Sequence, residues 1–154
     1  MNSTADIRKK KINEFFLAYQ QLYTDALASD KPDTKATARV FADCFLAAGP
    51  WGVNCGQNGK AFTEKLEKGY AFYRSIGTES MHILFNDITL LDEYHAMANV
   101  QWHAGLVKKD LQELTIDFHV IYLLQTLNDK IKIFGYIAED EEKILKEHGI
   151  EPYR

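Results

Sequence analysis

The feature that most constrains this chain is a change of hydrophobic period at Gly77. Before it, apolar residues recur every three or four positions, the repeat of one helix face. After it they alternate, the repeat of a strand with one side buried. From Ile12 the stripe Phe15, Phe16, Tyr19, Leu22, Tyr23 and Ala26 predicts a first helix, broken by Asp30-Lys31-Pro32-Asp33. Asp33 or Thr34 would cap a second helix carrying Val40, Phe41, Cys44 and Phe45 inward and ending at Gly49-Pro50. The glycine-rich run GPWGVNCGQNG reads as a loop with a short strand near Val53. A third helix follows over 60–76, with Phe62, Leu66, Tyr70 and Tyr73 inward and Gly77 as its stop.

Beyond Gly77, alternation around Met81–Phe85, Ala98–Trp102, Phe118–Tyr122 and 130–137 predicts four strands. Turn signals at Asp92-Glu93, Lys108-Lys109-Asp110 and Asn128-Asp129 join them as hairpins. An acidic segment then opens a short C-terminal helix. The chain therefore reads as α+β, with helices first and an antiparallel sheet after them.

Pairing the strands sorts their residues into two faces. With Gln101 opposite His119, His103 falls opposite Asp117 and Val100 opposite Val120. Carried back one strand, the register sets Phe85 across from Val100 and His82 across from His103. One face then holds Met81, Ile83, Phe85, Asp87, Val100, Trp102, Phe118 and Tyr122. The other holds His82, Asn86, Asn99, Gln101, His103, Asp117 and His119. A one-residue slip exchanges them, and the apolar face is the better partner for the helices.

With 154 residues, 46% apolar and 26% charged, the chain suits one domain spanning 1–154 with a substantial core. A formal charge of -4 and the lack of a basic stripe argue against nucleic acid as a partner. No run of about 18 apolar residues suggests a membrane span. The N-terminus reads as the first turns of a helix rather than a signal peptide. Two cysteines, Cys44 and Cys55, are too few for a disulfide framework, so both are expected as free thiols in a reducing, cytoplasmic setting.

The glycine-containing loop over 52–59, the stretch His82-Ile-Leu-Phe-Asn86 and the segment Tyr122–Ile133 with its Asn128-Asp129 turn together resemble the nuclear transport factor 2-like, or cystatin-like, superfamily. Within it the resemblance is closer to the SnoaL-like polyketide cyclase branch, whose members often place a His and, four residues on, an Asn at the positions of His82 and Asn86. The usual Asp-Gly before the final strand is here Asn128-Asp129, and Ile131 stands where an aromatic commonly follows it. The resemblance implies three N-terminal helices on a strongly curved antiparallel sheet forming a cone, with a short C-terminal helix. It also implies a cavity in which some members isomerise, cyclise or dehydrate small apolar molecules while others only bind them.

Two constellations stand out. Tyr19, Tyr73, Trp102, Phe118, Tyr122, Phe134 and Tyr136 would line a pocket whose phenol and indole groups orient a ligand; the same rings would equally fill a core. Asp87, on that face, is a candidate acid/base if buried, or a solvated strand-end residue if not. On the polar face His103 and Asp117 oppose each other, with His82 beside them and His119 near, as an acid/base set or a solvated or subunit-facing surface. Metal ligation by this set needs a convergence that a flat sheet face rarely gives, and no metal or cofactor is expected. His95 and His148 lie near element ends and read as surface residues.

The leading functional reading is a small-molecule-binding domain with an aromatic-lined pocket for an apolar or aromatic ligand. The alternative is a cofactor-independent isomerase, cyclase or dehydratase. Apolar residues on both sides of the late strands (Leu123, Ile133 and Ile137 opposite Tyr122 and Phe134, beside Ile121) predict a homodimer packed through the sheet.

Overall fold

A computed structural model describes residues 3–151. Helix α1 (Thr4–Leu27) starts where the Ser3 side chain accepts the Asp6 amide at 3.1 Å, satisfying one of the first turn's free N–H groups. Its expected stripe buries Ile12, Phe16, Tyr19 and Ala26. Asp33 caps α2 in the same way, but α2 spans only Thr34–Ala38. The helix expected to run on through Phe45 is instead strand β1 (Phe41–Gly49). Phe41, Phe45 and Ala47 are buried while Cys44 and Leu46 are exposed, so the true period here is 2. Cys44, expected in the core, faces solvent. The Asn58 side-chain amide holds the corner between α2 and β1, donating to the Ala38 carbonyl at 2.7 Å and the Phe41 carbonyl at 3.1 Å.

The segment expected as a loop is strand β2 (Gly52–Gln57), which pairs back on β1 from Gly49↔Gly52 to Cys44↔Gln57. Helix α3 (Lys60–Ser75) leads into Gly77, whose φ of +90° turns the chain into the sheet. A β-carbon at Gly77 would lie 2.0 Å from the Val107 carbonyl oxygen, so glycine is required for space as well as conformation. Strands β3 (Thr78–Leu90), β4 (His95–Val107), β5 (Glu113–Leu127) and β6 (Lys130–Ala138) follow as hairpins, and α4 (Glu141–Glu147) closes the described chain. The sheet order is β2-β1-β6-β5-β4-β3, antiparallel throughout except for the parallel β1–β6 pair. The architecture is α+β, with helices against one side of a curved sheet.

Strand β4 shows the layering most plainly. Ala96, Ala98, Val100, Trp102, Ala104 and Leu106 are buried beneath the helices, and every residue between them is half-buried on the far side. The β4–β5 register is the expected one, with Gln101↔His119 and His103↔Asp117. Two bulges change the faces elsewhere. Between Ile83 and Phe85 strand β3 carries one extra residue, so Phe85 pairs with Gln101 and Asn86 with Val100. Phe85 (57% exposed) and Asp87 therefore point away from the helices, and Asn86 points toward them, its amide donating to Asn13 of α1 at 3.1 Å. In the β5–β6 pair Leu123 meets Gly135 and Leu124 meets Ile133, leaving Phe134 as the extra residue. Ile133 is thus fully buried rather than part of an outer patch, and Phe134 leaves the expected pocket to pack its ring 5.7 Å from that of His95.

Candidate functional site

The helix face and the sheet do not close completely over Trp102. A cavity of about 250 Å³ remains between α1, α3 and strands β4–β6. Tyr19 and Tyr23, one helical turn apart on α1, form its roof. Tyr73 comes from α3, Trp102 from β4, Phe118 and Tyr122 from β5, and Tyr136 from β6. Tyr19 packs edge to face at 6.0 Å from both Trp102 and Tyr122, and Tyr23 lies tilted 5.1 Å from Trp102. Exposed Trp51 and Glu139 mark the solvent side.

The polar groups of this cavity are few and directed. The Trp102 indole donates to the Tyr122 hydroxyl at 3.1 Å, fixing the floor. The Tyr73 hydroxyl donates to Oε1 of Glu141 at 2.6 Å, a short charge-assisted geometry. Burial pushes the phenols of Tyr19, Tyr23, Tyr73 and Tyr122 well above their ordinary range, so they remain neutral hydrogen-bond donors at any ordinary pH. Burial also raises the Glu141 carboxyl, and the Tyr73 hydrogen bond opposes that shift.

Six of the seven rings predicted from sequence therefore meet here: Tyr19, Tyr73, Trp102, Phe118, Tyr122 and Tyr136. Phe134 does not, and Asp87 is exposed on the opposite face. Sequence reasoning missed Glu141, the acid hydrogen-bonded to the cavity's rings. Glu141 lies in an acidic run at a helix start, a pattern that ordinarily means a solvated first turn favoured by the helix dipole. Only the folding of α4 back onto β5, where Glu141 meets Tyr73, brings it onto the rings. Tyr23 and Phe62 were legible as members of helical stripes, although neither was singled out.

The polar face forms as expected but is open. His103 Nδ1 is hydrogen-bonded to Asp117 Oδ1, whose second oxygen accepts from the Gln101 amide at 3.1 Å. The His82 ring lies 5.1 Å from that of His103. His119 is drawn elsewhere: its Nδ1 lies 2.9 Å from Glu139 Oε1, and its backbone amide donates to the same oxygen at 2.7 Å. Asp117, His119 and His82 are exposed, and no cluster suited to a metal ion occurs among the described residues. A larger, shallower groove of about 560 Å³, between the end of α3, the β4–β5 turn and Ile150, contains none of the residues singled out from sequence.

The model of the family described as "NTF2-like protein (DUF6841)" matches residues 8–141. The chain belongs to this NTF2-like family. No curated protein matches its sequence. Among solved structures it is similar to an NTF2-like protein with a cystatin-like fold from Novosphingobium aromaticivorans, at a TM-score of 0.65 and 11% identity over 90% of each chain. Aln2 from a Streptomyces species gives a TM-score of 0.65 and 12% identity, with 96% of this chain and 98% of that one covered. An NTF2-like protein of unknown function from Shewanella oneidensis gives 0.63 and 15%, covering 86% and 99%. At these identities the similarity establishes the NTF2-like fold and nothing about activity.

Proposed function

We propose that this NTF2-like chain binds a small, largely apolar molecule in the cavity above Trp102. The observation that carries the reading is the cavity itself, about 250 Å³ walled by aromatic rings, with the Tyr122 hydroxyl and the Glu141 carboxyl as its directed polar groups. Ligand sites combine an apolar wall with a few placed polar atoms in this way, and drug-sized ligands occupy roughly 300–1,000 Å³. The occupant is thus smaller than a drug. The assigned Trp102 indole N–H resonance should shift when 4-tert-butylbenzyl alcohol is titrated in. Shifts confined to His103 and His82 would move the site to the polar face, and no shifts at all would remove the proposal.

A catalytic reading, as a cofactor-independent isomerase, cyclase or dehydratase, is favoured by one observation: a carboxyl with a raised pKa faces the rings. That group is Glu141, which takes the acid/base role expected of Asp87. Placement in the SnoaL-like branch rests on His82 and Asn86, which the β3 bulge sends to different surroundings.

The outer sheet face supports a homodimer. Ile137 is exposed there beside half-buried Ile121 and Leu123, and Phe85 is exposed on the edge strand β3, all on the face the described helices do not cover. Light scattering at micromolar concentration should give twice the chain mass; a monomer mass would reject this arrangement. A cytoplasmic, reducing setting is in keeping with two free, exposed cysteines.

A further inference from the structure

Among the described residues, the charges around the cavity are all of one sign. Glu139 and Glu141 are its only carboxylates, and no described Lys, Arg or His lines it. Glu139 already has a partner in His119. Glu141 makes no ion pair among the described residues; its hydrogen-bond partner is the neutral Tyr73 hydroxyl. A carboxylate drawn out of bulk water is either held protonated or met by a cation, because a hydroxyl alone does not repay the lost hydration of the charged form. Among the described residues that cation is missing. The surroundings of Glu141 are also those that hold positive charge best. The Tyr23 and Tyr73 rings are 6.5 Å apart, Tyr23 is 5.1 Å from Trp102, and all three line the same cavity as the carboxylate, so electron-rich rings surround the space beside it.

We infer that the occupant of this cavity is an organic cation, an ammonium group carrying an apolar or aromatic body, with its charge seated between the Glu141 carboxylate and the rings of Tyr23, Tyr73 and Trp102. This rests on the cavity being a ligand site and adds the class of ligand. The apolar body lies toward Phe118, Val120 and Tyr122, where no charge is available. An anionic ligand is disfavoured by the two carboxylates. A neutral one leaves Glu141 uncompensated.

Ionisation of Glu141 then governs affinity. The groups facing it are the neutral phenols of Tyr73 on α3 and Tyr23 on α1, with Glu139 at the end of β6 and His119 on β5 behind that. Because burial holds the Glu141 carboxyl above its ordinary range, it is protonated in part at pH values where a surface Glu is fully charged. A cation requires the charged form, so binding should tighten as pH rises and weaken as Glu141 is protonated.

The test uses two probes differing by one atom and one charge, (4-hydroxymethylphenyl)trimethylammonium and its carbon isostere 4-tert-butylbenzyl alcohol, titrated by calorimetry into the full chain. The cation should bind on the order of tenfold more tightly at pH 8. That advantage should shrink toward pH 5 and fall in Glu141→Gln to the part the rings supply, losing its pH dependence, while His119→Gln retains it. Equal or tighter binding of the neutral probe overturns the charge inference and leaves the cavity reading intact. Binding of neither probe removes both. If Glu141→Gln does not fold, the pH dependence of the unaltered protein and of His119→Gln still decides: an advantage that grows toward low pH, or does not change with pH, refutes the inference.

Discussion

Replacing Trp102 tests whether the indole is both floor of the cavity and part of the core. Trp102 is 1% exposed, packs against Tyr19 and Tyr23, and supplies the hydrogen bond that fixes Tyr122. Trp102→Ala removes all of this at a site whose neighbours come from three different elements and cannot close together. A loss of about 3–5 kcal/mol is expected, or a melting temperature lower by about 6–20 °C for a chain of this size. Trp102→Phe keeps a ring but removes the indole's hydrogen bond to the buried Tyr122 hydroxyl. Losing that bond costs about 1 kcal/mol, and the smaller ring brings the total to about 2 kcal/mol. Val100→Ala is the control. It is equally buried on the same strand but does not line the cavity, so it should cost about 1–3 kcal/mol and leave probe affinity almost unchanged. Urea unfolding followed by far-UV circular dichroism gives the stabilities, and calorimetry with the neutral probe gives the affinities. A Trp102→Ala protein that loses less than about 1 kcal/mol, or folded variants in which Val100→Ala weakens binding as much as Trp102→Phe, would refute the reasoning.

Three further outcomes follow from particular residues. Gly77→Ala forces a positive φ on a residue with a β-carbon and drives that carbon into the Val107 carbonyl, so unfolding free energy should drop by at least about 2 kcal/mol, read by urea denaturation. Glu141→Gln should be more stable than the unaltered protein at pH 8 and indistinguishable from it near pH 4. The folded-state pKa of Glu141 is raised, so ionising it opposes folding, and the difference should open as pH climbs from about 4.3 through that raised value; a difference independent of pH would contradict a carboxyl raised by desolvation. Cys44 and Cys55 should both react with a thiol reagent in the native protein, since both are exposed, and reaction only after denaturation would contradict their placement on β1 and β2.

The sequence by itself determined what depends on local periodicity and turn chemistry. Helix α1, the end of α3 at Gly77, the hairpins of β3–β6 and the β4–β5 register could be read because each signal lies within one or two adjacent elements. The six rings that meet in the cavity were legible for the same reason: each follows from which face of its own element is apolar. Tertiary structure decided the rest. Residues 41–49 carry apolar spacings that suit either a helix or a strand, and the choice came from β6, whose Ile133 amide donates to the Val40 carbonyl at 2.9 Å from far along the chain. The faces of Asp87 and Phe134 turned on single extra residues in β3 and β6, and a bulge of one residue inverts everything beyond it. Glu141 became the acid of the cavity only because α4 folds back to meet Tyr73, a contact across 68 positions. Its local pattern describes a solvated helix start; its environment is a property of the packed molecule, set by desolvation and by which rings arrive beside it.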